Sequence, residues 1–259
     1  MLAFFVAAPV ASAVAAADDS AELAKKLQNP VASLISVPLQ SNFEWGAGRS
    51  SDGFKYTLNV QPVIPIPLGQ HWNLISRTIA PVIHQDDLVP NTEQFGLGDV
   101  VQSLFLSPSA AGPGGIIWGA GPVLLLPTAT EEFLGGEKLG LGPTAVVLRQ
   151  EHGFTYGMLA NHIWSVAGTS HTPNVNATFL QPFFAYTTKT YTSFNVSTES
   201  TYDWGKTKWT VPLIATVSQL LKVKGVPIQL QLGPKWYAEG PTGAPDWGIR
   251  FALFFLFPR

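Results

Sequence analysis

From Tyr191 to Trp204 the chain alternates with a period of two residues: one face carries Phe194, Val196, Thr198, Tyr202 and Trp204, the other Ser193, Asn195, Ser197, Glu199, Thr201 and Asp203. That period belongs to a β-strand, whose successive side chains point to opposite faces of a sheet. The apolar face needs an apolar cover. In a water-soluble sandwich the cover is a second sheet; in an outer-membrane barrel it is lipid, and the polar face lines a lumen. The nature of that cover decides most of what the chain can be.

Other segments repeat the pattern. In 35–45, Ile35, Val37, Leu39, Phe43 and Trp45 oppose Ser36, Gln40, Asn42 and Glu44. In 54–66, Phe54, Tyr56, Leu58, Val60 and Ile64 oppose Lys55, Thr57, Asn59 and Gln61. The last run sets Ile249, Phe251, Leu253, Phe255 and Phe257 against Arg250 and small or apolar residues. A spanning helix needs roughly 20 uninterrupted apolar residues, and the body of the chain offers none. Its apolar residues, 46% of the total, come in short runs broken by 24 glycines and 21 prolines, as suits a many-stranded β protein. About 12 strand-like runs fall near 34–46, 54–67, 71–84, 96–107, 115–128, 139–150, 154–167, 175–188, 191–204, 208–222, 227–238 and 246–257. Each reaches the roughly 9 to 11 residues that a tilted membrane strand requires. No linker divides them, so 34–259 reads as one all-β domain, a single antiparallel transmembrane barrel.

The connections alternate as well. Gln70-His71, Glu151-His152-Gly153, Lys189-Thr190 and Val223-Lys224-Gly225 are tight turns, whereas Ala47–Gly53, Gln85–Gln94, Glu131–Lys138, Thr169–Pro173 and Glu239–Asp246 are longer and polar. Short turns on one end and long loops on the other suit a barrel with a periplasmic and an exterior mouth. Ser109–Gly114, long where a turn is due, and Gly205–Lys206, short where a loop is due, break the rule. Pro38, Pro62, Pro81, Pro122, Pro143, Pro182, Pro212 and Pro234 all fall inside proposed strands. Proline cannot donate to a ladder, so each is expected at a bulge or a strand end.

Met1 to Ala17 has the apolar core of a secretory signal, with Ala15-Ala16-Ala17 as the cleavage site and without the usual basic start. Residues 18–33 then form a periplasmic segment with a short amphipathic helix over 20–32, capped by Ser20 and stopped at Asn29-Pro30. With a net charge of −2 nothing points to nucleic acid, and the absence of cysteine excludes disulfides, thiolate metal sites and cysteine nucleophiles.

Several strings resemble one known family: Gly96-Leu97-Gly98-Asp99, the stretch Leu139 to Leu148, Ala160-Asn161-His162-Ile163-Trp164-Ser165-Val166-Ala167-Gly168, Thr198-Glu199-Ser200-Thr201-Tyr202-Asp203-Trp204, and Trp209-Thr210-Val211-Pro212-Leu213. They are similar to the bacterial proteins grouped as the MetA-pathway of phenol degradation family. The resemblance runs over residues 20–259 and implies an outer-membrane barrel that passes small hydrophobic or aromatic compounds.

If the polar faces point inward, the lumen holds Glu44, Lys55, Asn59, Gln61, Arg77, Asp99, Glu199, Asp203, Lys235 and Arg250. Acids and bases facing one another across a narrow bore select permeants by charge; alternatively they pair and simply fill the interior. Catalysis finds less support. His162 and Ser165 fall on opposite faces of a strand, which spoils a direct Ser–His pair, and Ser170-His171 has no evident carboxylate to orient it. The five histidines are scattered, Asp86-Asp87 and Glu131-Glu132 read as solvated loop acids, and Gly96–Gly98 and Gly112–Gly115 lack the lysine or following helix of a phosphate loop. No cofactor or metal is expected. Trp45, Trp72, Trp118, Trp204, Trp209, Trp236 and Trp247 lie near strand ends, where an interfacial girdle belongs.

The expected protein is thus a barrel of about 12 strands in a Gram-negative outer membrane. Its expected partners are outer-membrane lipid, a small-molecule permeant and, through the aromatic last strand, the barrel-assembly machinery. A structural barrel without transport, a soluble apolar-ligand-binding β protein and a lipid-modifying enzyme are the alternatives.

Overall fold

The alternating segments pair edge to edge into one closed wall. The structure is a computed structural model that describes residues 20–89 and 91–258; the expected signal peptide lies outside these residues. The strands are β1 (Ile35–Ala47), β2 (Gly53–Val60), β3 (Val63–Leu68), β4 (Trp72–Asp86), β5 (Glu93–Leu97), β6 (Val100–Pro108), β7 (Ile116–Leu126), β8 (Lys138–Glu151), β9 (Phe154–Gly168), β10 (Asn176–Thr187), β11 (Thr192–Thr198), β12 (Ser200–Asp203), β13 (Lys208–Val223), β14 (Val226–Glu239) and β15 (Trp247–Phe257). β2 and β3, β5 and β6, and β11 and β12 are each one wall strand broken in two. The result is the expected antiparallel barrel of 12 strands with one short helix. It closes where β15 pairs β1 along its whole length, from Ile35↔Phe257 to Trp45↔Trp247.

Inside and outside are inverted relative to a soluble protein. Outward positions carry large exposed apolar side chains such as Leu232, Val196 and Phe194, whereas Asn42, Glu44, Lys235 and Arg250 are buried inside. Among the described residues no second sheet covers the apolar flank, because the single sheet closes on itself. Hydrocarbon stabilises such a surface, and water does not. Tryptophans gather outward at both ends: Trp45 stacks on Trp247 at 4.7 Å at one end, and Trp72 meets Trp118 edge-on at 5.9 Å at the other.

All eight strand prolines mark interruptions of the ladder, which resolves the conflict between proline and a closed sheet. Pro62 separates β2 from β3 with Pro38 across from the break, Pro81 faces the β5–β6 junction, and Pro182 faces the β11–β12 junction. Pro212 sits at a register shift against β14. Pro122, Pro143 and Pro234 occupy short lapses after which the register resumes unchanged, so they are neither bulges nor strand ends. In each lapse a glycine precedes the proline. At Gly142 a Cβ would run into the carbonyl oxygen of His162 on the neighbouring strand, so the two backbones approach closely only because no side chain intervenes.

Tight turns and long loops segregate as expected. At the turn end, His152-Gly153 and Lys224-Gly225 both have positive φ at their two central positions, the form that matches the twist of a two-residue hairpin. At the loop end, residues 127–137 fold back so that Leu134 packs over the inward positions Gly96 and Gly98. The N-terminal helix is shorter than expected, covering 20–27 among the described residues, and it enters the turn end. Leu23, Ala24, Ala32 and Leu34 bury against Leu220 and Leu256, and Val31 joins a deeper cluster with Ile75, Phe105, Val146, Leu148 and Leu159. Outside this apolar contact, Glu22 and Lys26 pair at 2.7 Å.

Candidate functional site

Strand register carries the inward-facing charges to one level of the lumen. Glu44 on β1 lies in register with Lys55 on β2 and with Gly248 on β15, and Gly248 is in turn opposite Lys235 on β14. The bare glycine leaves the path open, and Lys235 Nζ reaches Glu44 Oε1 at 2.6 Å, where Tyr237 Oη also donates at 2.5 Å. One step further along, Arg250 has Asn42 on one side and Gly233 on the other. Its Nε donates to Asn42 Oδ1 at 2.8 Å, and its two terminal nitrogens donate to the two oxygens of Glu199, each at 2.8 Å. Such a fork is the strongest pairing a carboxylate and guanidinium can adopt.

The strand breaks contribute directly to the site. Gln61 lies in the β2–β3 break and Glu199 in the β11–β12 break. Both turn inward beside Arg77 of β4, whose Nη2 donates to Gln61 Oε1 at 3.3 Å. Gln40, Gln61, Arg77, Gln181 and Glu199 line two cavities at once, and therefore form the belt that divides them. The cavity toward the loop end, about 260 Å³, is completed by Asn59, Asn161 and apolar side chains including Ile79, Leu159 and Phe179. The cavity toward the turn end, about 220 Å³, is bounded by Arg250 and by the segment Lys26 to Leu34.

Eight of the ten residues expected in the lumen thus share this region. The other two are placed elsewhere: Asp99 accepts from the backbone N–H groups of Ala129 and Gly136, and Asp203 accepts from those of Gly205 and Lys206 while pairing with Lys206 at 3.1 Å. Each carboxylate ties down a loop at the loop end, and Asp203 explains why the Gly205–Lys206 connection is short there. Tyr237, Asn42 and Gln181 were absent from the expected set. Tyr237 could have been found, since it stands two residues from Lys235 on the same face. His162 faces outward, its Nδ1 2.7 Å from the Thr178 hydroxyl, whereas Ser165 faces inward with its hydroxyl bonded to Val175 N. They form no Ser–His pair.

The barrel has a counterpart among solved structures. It superposes on the crystal structure of the COG4313 outer membrane channel from Pseudomonas putida F1 with a TM-score of 0.67, covering 87% of this chain and 96% of that one. The fold is that of an outer-membrane channel. Sequence identity between the two is 14%, so the likeness is one of architecture. COG4313 is also the grouping of the MetA-pathway proteins that the sequence strings resemble. No family model matches the chain, and no curated protein does.

Proposed function

We propose that this protein is an outer-membrane channel for small organic molecules, including hydrophobic or aromatic ones, and that the charged belt is its selectivity element. The observation that carries this reading is the coincidence of an apolar, tryptophan-ringed exterior with a polar, ion-paired interior that holds a cavity on each side of the belt. Ion pairs buried in a lumen fix the positions of groups that a permeant must pass, and rings of fixed charge set which permeants do so. The architecture shared with a known outer membrane channel and the sequence resemblance support the same location, with lipid around the barrel and the assembly machinery acting on its last strand.

A second reading has its own support. The N-terminal segment and the cluster around Phe105 occupy much of the turn end, as they would in a structural barrel without transport. Planar-bilayer recording separates the two. A channel gives discrete conductance steps, and Glu199→Gln or Arg77→Gln shifts its ion selectivity. A membrane that stays silent with the purified barrel inserted, across a panel of salts and aromatic solutes, refutes the channel reading.

A further inference from the structure

The charges in and beside the belt are unbalanced, and the imbalance has a location. Four cations, Lys55, Arg77, Lys235 and Arg250, face two carboxylates, Glu44 and Glu199. Both carboxylates are spent: Glu44 on Lys235 and Tyr237, Glu199 on Arg250 through both of its oxygens. Lys55 and Arg77 bond neither, although each stands in the field of one, Lys55 of Glu44 and Arg77 of Glu199; of the two, Arg77 lines the cavities. Among the described residues its side chain has one hydrogen-bond partner, the neutral amide of Gln61, and no ion pair. A guanidinium has five N–H donors in a planar fork, so most of the donors of Arg77 are available where it lines the loop-end cavity.

We propose that this cavity is a binding site for a small organic monoanion, a one-ring or short-chain carboxylate whose charge is held by Arg77. The proposal rests on the channel reading and names its substrate class. The cavity is two-sided in the way such a ligand requires. Arg77, Gln61 and Asn161 supply the polar side together with Glu199, whose two oxygens are held by Arg250, and Ile79, Leu159 and Phe179 supply an apolar wall for the ring or chain. Its volume of about 260 Å³ lies just below the range of drug-sized ligand sites, which begins at roughly 300 Å³, and this selects compact solutes. A charged group leaving water for such a site needs a charged, hydrogen-bonding partner, and the unspent fork of Arg77 is that partner. An organic cation meets the same surplus positive charge and is repelled. Arg77 also borders the second cavity, where Arg250 stands, so an anion released from the first guanidinium comes next within the field of another.

The test uses the full chain purified in detergent, with benzoate, benzyl alcohol and benzylammonium titrated by calorimetry. Benzoate is expected to bind at least tenfold more tightly than benzyl alcohol, and benzylammonium not to bind. Arg77→Gln removes the preference for benzoate and leaves benzyl alcohol unchanged; Arg77→Lys restores part of it. Gln61→Glu keeps the arginine but gives it an internal carboxylate, and is expected to abolish the preference equally. Heat-modifiable gel mobility verifies that each variant is folded, and the Gln61 variant serves if Arg77→Gln is not. Benzoate binding no tighter than benzyl alcohol in the unaltered protein, or a preference that survives both Arg77→Gln and Gln61→Glu, overturns the proposal. Bilayer recording distinguishes the two levels. Preferential benzoate binding in a barrel that passes nothing upholds the site and removes the channel, whereas conductance without benzoate preference does the reverse.

Discussion

Glu199→Gln is the perturbation from which the belt architecture makes its sharpest demand. The change is nearly isosteric, but it strips the charge from a group that accepts two bonds of 2.8 Å from Arg250. The arginine side chain is 6% exposed and the glutamate 24%, so the cation left behind has little water to turn to. Removing one member of a buried pair costs about 3–5 kcal/mol. Glutamine keeps one acceptor and Asn42 keeps its bond, which places the expected loss near the lower end, about 3 kcal/mol, or roughly a hundredfold in the folding equilibrium. With a urea slope of about 1–3 kcal/mol/M, the unfolding midpoint of the vesicle-embedded barrel, followed by tryptophan fluorescence, falls by about 1 M or more. The double variant Arg250→Met with Glu199→Leu removes both charges and is expected to be more stable than Glu199→Gln alone, because an apolar replacement of a buried pair is often neutral or better. A loss below about 1 kcal/mol for the single change, or a double variant whose losses simply add, refutes the claim that the two charges compensate one another inside the barrel.

Three further outcomes follow from other parts of the wall. Deleting residues 20–33 removes Leu23, Ala24, Val31 and Ala32 from the two apolar clusters; conductance per channel should rise several-fold, and an unchanged conductance would mean that the segment is not the barrier at the turn end. Leu232→Arg places a charge on the outward face at a position 57% exposed, which should destabilise the vesicle-embedded barrel by about 2–4 kcal/mol yet leave ion selectivity alone. Gly142→Ala drives a methyl group toward the His162 carbonyl; overpacking of this kind costs about 1–3 kcal/mol and should lower the temperature at which heat-modifiable mobility is lost.

Much of the wall could be read from the chain because a strand's period is short and local. Whether Phe194 faces outward or Glu199 faces the lumen depends only on counting by two. Strand number followed from turn chemistry, with His152-Gly153 and Lys224-Gly225 announcing hairpins. The prolines were harder, since their meaning lies on neighbouring strands. Pro182 matters because it faces the β11–β12 junction, and Pro81 because it faces the β5–β6 junction. Nothing in the segment that contains a proline says which position on the next strand will lose its bond. The fate of the N-terminal helix was equally hidden, because an amphipathic stretch specifies that it needs an apolar surface without specifying which one.

The site itself was legible as a set of residues but not as a set of pairs, and the reason is geometric. Parity gives each strand's lumen face; pairing needs the register of every strand between the partners. Glu44 and Lys235 meet across 191 positions of sequence by reaching past Gly248, and Arg250 and Glu199 across 51 by reaching past Gly233 on β14 and over β13. Asp99 and Asp203 obey the same parity as the others, yet they sit where a strand breaks or ends, and there the nearest unsatisfied donors are loop backbone N–H groups rather than side chains. A charge on a lumen face therefore becomes part of the belt only at the depth where register aligns it with a counter-charge. Lys55 and Arg77 are the cations left without a bonded carboxylate, and Arg77, which has only a neutral amide as hydrogen-bond partner and lines both cavities, is the one that makes the belt receptive to an anion from outside.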